Sequence, residues 1–126
     1  MSIVGIGIDI VDILRIKKIF LLYRHQFAKK ILSKKEWKNY MVSKNQIVFL
    51  AKKFSAKEAA SKALGTGINY GITFNQLELY HNDIGKPQFC FLKNALKRAK
   101  EIQCKSIHVS ISDEKLYTYS VVVLES

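Results

Sequence analysis

The chain has 126 residues, of which 48% are hydrophobic and 25% charged, and this length and composition predict one folded domain spanning residues 1–126. One Pro and six Gly exclude low-complexity and fibrous classes. No uninterrupted apolar run approaches the ~20 residues that span a bilayer, and the N-terminal segment is too charged after Val11 for a secretory signal. We therefore expect a cytoplasmic location.

The net charge is +11, and residues 1–50 carry ten basic against three acidic side chains. Such a field favours capture of polyanions and acidic proteins, so nucleic acid, an anionic membrane and an acidic protein all fit. No nucleic-acid reader motif is evident. Residues 13–32 approach a basic amphipathic membrane helix, but such a stripe is more often the core face of a helix. We predict neither a nucleic-acid nor a membrane partner.

The first predicted element is a strand at roughly residues 3–10. Its apolar face consists of Val4, Ile6, Ile8 and Ile10. The opposite face carries Gly5, Gly7 and Asp9, and glycine within a strand often marks a close approach to the backbone. Asp9 therefore ends a strand face on which the two preceding residues, Gly5 and Gly7, have no side chains. It is either a site residue or a solvated strand end; Asp12 is the better cap for the next helix.

Helices are expected next, at about 12–24 with a further segment to 32, then after Ser33, and then at about 45–64. Ser33 and Glu36 have capping-box spacing, and Gly65 is typical of a residue just past a helix. The second half predicts strands at 74–80, 88–92, 107–112 and 116–124, a turn at 81–85 and a helix at 93–102. This order predicts an α+β fold with a mainly antiparallel sheet packed against the long helix.

The long predicted helix places two charges on its apolar stripe. Steps of four align Leu50, Phe54, Glu58 and Lys62, whereas Lys52, Lys53 and Lys57 are expected on another face. Inward charges need partners. Glu58 and Lys62 form either a structural pair or a site, with Glu58 on a metal or proton and Lys62 on an anion. Asp9 and Glu58 together suggest a shared divalent cation, for which Mg²⁺ is the natural choice.

Four blocks in order resemble one known family. They are Gly5-Ile6-Gly7-Ile8-Asp9-Ile10, the segment from Phe54 through Lys57-Glu58-Ala59 and Lys62-Ala63 to Gly65-Thr66-Gly67, then Gly85-Lys86-Pro87, and His108-Val109-Ser110-Ile111-Ser112. Together they are similar to the holo-[acyl-carrier-protein] synthase family, the short 4'-phosphopantetheinyl transferases, over nearly the whole chain. The resemblance implies the fold of that family.

The resemblance also implies a reaction. Phosphopantetheine moves from coenzyme A to a serine of an apo-acyl carrier protein, giving holo-carrier and adenosine 3',5'-bisphosphate in support of fatty acid biosynthesis. Asp9 and Glu58 match the family's magnesium ligands and Lys62 its phosphate-binding lysine, and these three are the expected catalytic residues. The general base is left open between Glu58 and a metal-bound water.

Further residues take their roles from the same resemblance. The expected coenzyme contacts are Lys53, Gly65, Thr66, Gly67, Lys86, Pro87, His108, Ser110 and Ser112. Open backbone NH groups in Gly65-Thr66-Gly67 are expected to cradle a phosphate. The basic cluster of Arg15, Lys18 and Arg24 is expected to contact the carrier by charge complementarity, and Arg15 also matches a basic position of the family. The family implies a homotrimer with active sites at subunit interfaces.

Two positions depart from the family pattern, namely Lys53, where arginine is usual, and Asp113, where histidine is usual. Lysine keeps the charge but not the planar grip on phosphate. His25 and His81 are interpreted as surface residues. Two rivals stay open: a nucleic-acid-binding module without catalysis, and a magnesium-dependent phosphodiesterase that cleaves a nucleotide.

Overall fold

A computed structural model describes all of residues 1–126. In chain order the elements are β1 (Ile3–Asp12), α1 (Ile13–Tyr23), α2 (His25–Ile31), α3 (Lys34–Met41), α4 (Gln46–Ala63), β2 (Leu77–His81), β3 (Pro87–Phe91), α5 (Lys93–Glu101), β4 (Ser106–Asp113) and β5 (Tyr117–Glu125). The largest difference from the predicted boundaries is at the strand expected from Phe74, which begins at Leu77 because Phe74–Gln76 form a 3-10 helix. Strand β1 continues two residues beyond the predicted end, to Asp12. None of the helices is long and apolar enough to cross a membrane.

The predicted α+β architecture is confirmed. Strands β1, β5 and β4 form an antiparallel sheet in the order β1-β5-β4, and β2 and β3 form a separate hairpin. Helix α4 packs on the inner face of the three-stranded sheet. One core cluster surrounds the C-terminal half of α4, and a second fills the space between its N-terminal half and α1–α3.

The glycines of β1 allow α4 to lie directly on the strand. A Cβ at Gly7 would overlap the Ala59 carbonyl oxygen, and one at Gly5 would overlap the Ala63 carbonyl oxygen. The close approach predicted for this face is therefore made by the backbone of α4. It brings Asp9, two residues beyond Gly7 on the same face, next to the helix.

Gly7→Ala should lower the free energy of unfolding by about 3 kcal/mol, because strand and helix must separate to admit a methyl group. Urea denaturation measures the loss. The matched control is Gly85→Asn, at a turn with φ +84 and open space around the Cβ position, where the loss should be below about 1 kcal/mol. Equal losses in both variants would contradict the close approach.

The helix starts follow the local sequence signals. Asp12 Oδ1 accepts a hydrogen bond from the Leu14 backbone N at 2.9 Å, so Asp12 is the N-cap of α1. The capping box of α3 is confirmed, with Ser33 and Glu36 each accepting from the other's backbone N. Arg24 separates α1 from α2 with φ 50, outside the helical region.

The charged side chains that α4 buries are not the two, Glu58 and Lys62, that its apolar stripe led us to expect. Lys53 and Lys57, expected on an outer face, are 4% and 0% exposed. Helix α4 is covered by the sheet, by α1–α3 and by β2. The prediction that only one face of this helix is buried is therefore wrong. Glu58 is only partly buried and Lys62 is exposed, since both lie on the strip that stays open beside β1.

Glu36 compensates the two buried lysines. Its Oε1 lies 2.6 Å from the Lys57 Nζ, and its Oε2 lies 3.5 Å from the Lys53 Nζ. The Lys57 ammonium also donates to the carbonyl oxygens of Ile31 and Phe74, while Glu36 Oε2 accepts from the Leu79 N. This network ties α3, α4 and β2 together.

Candidate active site

The structure brings Asp9, Glu58 and Lys62 together at the open edge between β1 and α4. The Lys62 Nζ lies 3.2 Å from Asp9 Oδ1 and donates to the Ile8 carbonyl oxygen at 2.9 Å. Lys62 therefore pairs with Asp9, and the alternative of a structural Glu58–Lys62 pair is wrong. Glu58 and Arg15 lie close enough that their charges act on Asp9 or on one another.

The electrostatics of the site indicate that Asp9 and Glu58 lie near enough for their charges to interact. Burial raises the pKa of Glu58, and the charge of Asp9 raises it further, against the opposing charges of Lys62 and Arg15. Burial likewise raises the pKa of Asp9, against the Lys62 hydrogen bond and the charges of Lys62 and Arg15. Two half-buried carboxylates that repel each other favour a cation between them.

The donor set suits a magnesium ion. Asp9 and Glu58 supply carboxylate oxygens, and no third Asp, Glu, His or Cys side chain joins them in a metal-binding group. Magnesium is commonly held by one or two carboxylates, with substrate phosphates and water as the other ligands. The residues present therefore fit the ion, provided that a phosphate-bearing ligand completes its coordination.

The loop after α4 does not offer the free amides that we expected. The Gly65 N donates to the Lys62 carbonyl oxygen, and the Thr66 and Gly67 N atoms both donate to the Ser61 carbonyl oxygen. These bonds close the C-terminus of α4, so the expected amide cradle is wrong. Gly67 instead leaves open space, because no atom lies within 4 Å of the position a Cβ would take.

Lys53 was also expected to contact the coenzyme, but its side chain is buried. Its ammonium donates to the Leu79 carbonyl oxygen at 2.6 Å and pairs with Glu36, and burial lowers its pKa. It is engaged inside the protein and is not available to a phosphate. Asp113, the other departure from the family pattern, pairs with Lys52 at 3.2 Å.

The remaining expected coenzyme contacts lie on exposed surfaces. His108, Ser110 and Ser112 share the outer face of β4, as the alternation predicted. The His108 Nε2 is 3.1 Å from Glu125 Oε1. Pro87 begins β3, and Lys86 ends the preceding turn, in which Asn82 Oδ1 accepts a hydrogen bond from the Lys86 N.

The three expected carrier contacts, Arg15, Lys18 and Arg24, are exposed on or next to α1. Arg15 also lies near the acidic pair, which the sequence did not predict. Its positive charge opposes the rise in the pKa of Asp9 and of Glu58. Apolar side chains are exposed on the same helix: Leu14, Leu21, Leu22 and Tyr23.

The two histidines that we expected on the surface, His25 and His81, lie in different environments. His81 is exposed, as expected. His25 is only partly exposed: its Nδ1 is 2.8 Å from the Tyr40 hydroxyl, and its ring packs against Phe20, Trp37 and Tyr40. The sequence gave one indirect indication of this packing, because the predicted short helix after Ser33 carries two aromatic residues, Trp37 and Tyr40.

Comparisons with known proteins identify the family of the chain. Residues 5–121 match the family model of the 4'-phosphopantetheinyl transferase superfamily. The holo-[acyl-carrier-protein] synthase of Buchnera aphidicola subsp. Acyrthosiphon pisum is 70% identical over 126 residues, which is 100% of both chains.

Two solved structures extend the similarity to the fold. The holo-[acyl-carrier-protein] synthase of Neisseria meningitidis has a TM-score of 0.92 and 36% identity, covering 99% of this chain and 100% of the other. A holo-(acyl-carrier-protein) synthase of Bacillus anthracis in complex with CoA (3',5'-ADP) has a TM-score of 0.84 and 36% identity, covering 100% and 99%. By family match, sequence identity and fold, the chain belongs to the 4'-phosphopantetheinyl transferase superfamily.

Proposed function

We propose that this chain transfers 4'-phosphopantetheine from coenzyme A to a serine of an apo-acyl carrier protein, with residues 1–126 acting as one transferase domain. The serine hydroxyl oxygen attacks the phosphorus that bears the pantetheine arm. Adenosine 3',5'-bisphosphate leaves, and the hydroxyl proton is taken up by a base. The observation that carries the proposal is the convergence of Asp9 and Glu58, with Lys62 and Arg15 beside them.

The residues of the site have distinct roles in this proposal. Lys62 stays half exposed although it is paired with Asp9, so its ammonium can turn to the pyrophosphate and stabilise charge that develops there. Burial and the charge of Asp9 raise the pKa of Glu58, and a cation beside it would offset both effects. The base that accepts the serine proton is either Glu58 or a water molecule at the site. Gly67 leaves room for the coenzyme beside the end of α4.

Asp9 and Glu58 would hold a magnesium ion, which when bound supplies Lewis-acid stabilisation of the phosphate oxygens. The support for this part is the oxygen donor set and the mutual repulsion of the two carboxylates. The other expected coenzyme contacts that remain available are Lys86, Pro87, Thr66, His108, Ser110 and Ser112. The cytoplasmic location also stays a prediction.

The experiment that tests the function incubates the purified protein with coenzyme A, magnesium and an apo-acyl carrier protein, followed by intact-mass spectrometry of the carrier. We expect a mass gain of one phosphopantetheine that is lost when a chelator is added. Cleavage of coenzyme A in a reaction without carrier would favour the phosphodiesterase. An unmodified carrier together with nucleic-acid binding would favour the nucleic-acid-binding module.

The exposed basic side chains of α1 fit an acidic carrier protein, because complementary charge steers docking. Arg15 also acts on the acidic pair, so its replacement is expected to affect both coenzyme and carrier. Lys18 and Arg24 have no such contact with the acidic pair and serve the carrier alone in this proposal.

Lys18→Glu should raise the KM for the carrier about fivefold to tenfold, because a favourable charge becomes a repulsive one. The KM for coenzyme A should stay unchanged, and the carrier effect should shrink at high salt. Lys30→Glu, an equally exposed change on α2, is the matched control. Equal effects of the two variants would refute a docking site on α1.

We also propose a homotrimer whose active sites lie between subunits. The outer face of the three-stranded sheet is uncovered and apolar, with Ile6 65%, Ile8 66% and Ile10 53% exposed beside Tyr117 and Tyr119. A face of this kind marks an interaction surface. It adjoins the outer face of β4 with His108, so a neighbouring subunit packed here would lie beside expected coenzyme contacts.

Ile8→Arg should convert the trimer to a monomer and abolish transfer, since a charge cannot be buried there without a partner. Light scattering coupled to gel filtration measures the mass. Val42→Arg alters a side chain that is 81% exposed at the end of α3 and should leave the mass unchanged. A trimeric Ile8→Arg protein would place the interface elsewhere.

A further inference from the structure

The loop that follows α4 is held at both ends by α5, a helix without any expected site residue. At its start, the Arg98 Nε donates to the Leu64 carbonyl oxygen at 2.9 Å. At its end, the Asn94 Nδ2 donates to the Gly71 carbonyl oxygen at 2.9 Å. Two side chains one turn apart on α5 therefore fix the two ends of residues 65–71.

Neighbouring contacts hold these two side chains in place. The Arg98 guanidinium is paired with Glu101 at 3.5 Å. Gln76, which is 8% exposed, donates to the Gly71 carbonyl oxygen and accepts from the Ala95 N at 3.1 Å. The connection between loop and α5 is thus a network and not a single surface contact.

The loop is open around Gly67. Gly67 has φ +64 and no atom within 4 Å of the position of a Cβ. The amides of residues 65–67 are already bonded to α4, so the loop offers a ligand its shape and the Thr66 side chain rather than free donors. The position of such a loop determines how well a ligand packs on it.

We propose that Arg98 and Asn94 are positioning residues for the transfer reaction, which hold residues 65–71 where the coenzyme packs against Gly67 and Thr66. This inference rests on the proposed function. Neither side chain has to touch the coenzyme, so their loss weakens coenzyme binding without changing carrier docking on α1.

The test compares Arg98→Ala and Asn94→Ala with Lys100→Ala, an exposed change on the same helix without a side-chain hydrogen bond to the loop. We expect each of the first two to raise the KM for coenzyme A roughly fivefold to twentyfold. The KM for the carrier and kcat should stay near wild-type values, and Lys100→Ala should resemble the wild type. Arg98→Lys should restore part of the affinity, because an ammonium can also donate to the Leu64 carbonyl oxygen.

Two results would overturn the proposal. One is an unchanged KM for coenzyme A in both alanine variants. The other is a fall in melting temperature with parallel losses for both substrates, which indicates a purely structural role. If Arg98→Ala does not fold, Asn94→Ala makes the same test at the other end of the loop.

Calorimetric titration with adenosine 3',5'-bisphosphate separates this proposal from the proposed function. A wild-type protein that binds this nucleotide but modifies no carrier would refute the transferase function. The weakened nucleotide affinity of Arg98→Ala and Asn94→Ala would then still support the positioning role, and an unchanged affinity would refute it.

Discussion

Asp9→Asn and Glu58→Gln are each expected to lower phosphopantetheine transfer at least about 100- to 1000-fold, because each removes a charge that would hold the cation at the reacting phosphate. Both substitutions keep the shape of the side chain. Each also removes a carboxylate from a repelling, half-buried pair, so the melting temperature should not fall. Intact-mass measurement of the carrier over time gives the rate.

The matched control for this pair is Asp12→Asn, three residues from Asp9 on the same strand. Asparagine caps a helix as well as aspartate does, so both activity and stability should persist. Near-wild-type transfer in either Asp9→Asn or Glu58→Gln would remove the carboxylate pair from the mechanism.

The largest effect on stability is expected at Glu36, far from the reaction. Glu36→Gln leaves Lys57, which is fully buried, and Lys53 without their anionic partner. Breaking a buried ion pair from one side costs about 3–5 kcal/mol, and the melting temperature should fall by roughly 10–20 °C in a protein of this size. Urea denaturation and thermal unfolding measure both quantities.

A compensating change shows whether the uncompensated charge is the cause. Lys57→Met in the Glu36→Gln background should recover part of the loss, because an apolar side chain replaces the unpaired ammonium. Glu114→Gln, an exposed change without an ion pair, should leave stability within about 0.5 kcal/mol. A loss below about 1 kcal/mol for Glu36→Gln would contradict the network's role.

Local signals in the sequence were sufficient for much of the fold. The caps at Asp12 and Ser33, the end of α4 before Gly65 and the alternation in β4 involve residues a few positions apart, and the structure confirms each of them. The glycine face of β1 also predicted a close approach correctly, although only the structure identifies α4 as the partner.

The buried charges could not be predicted in the same way. Whether Lys57 faces solvent depends on how many sides of α4 are covered, and that depends on contacts with α3 and β2 that are distant in sequence. Glu36 was identified as a capping residue, but the same carboxylate also neutralises Lys57. Local periodicity carries no information on such tertiary pairs.

The site was predictable to the extent that it depends on side-chain chemistry. The sequence brought Asp9, Glu58 and Lys62 together as a hypothesis, and the structure places them at one edge. The backbone was predicted less well, because amides expected to be free at Thr66 and Gly67 are used to close α4.

In the proposed mechanism, the carboxylates of Asp9 and Glu58, from distant parts of the chain, share one divalent cation. Crystals grown with coenzyme A and with Mn²⁺ in place of Mg²⁺ test it directly, because the anomalous signal locates the metal. We expect one anomalous peak, within coordination distance of carboxylate oxygens of both Asp9 and Glu58. A metal bound by only one of these side chains, or by neither, would contradict it.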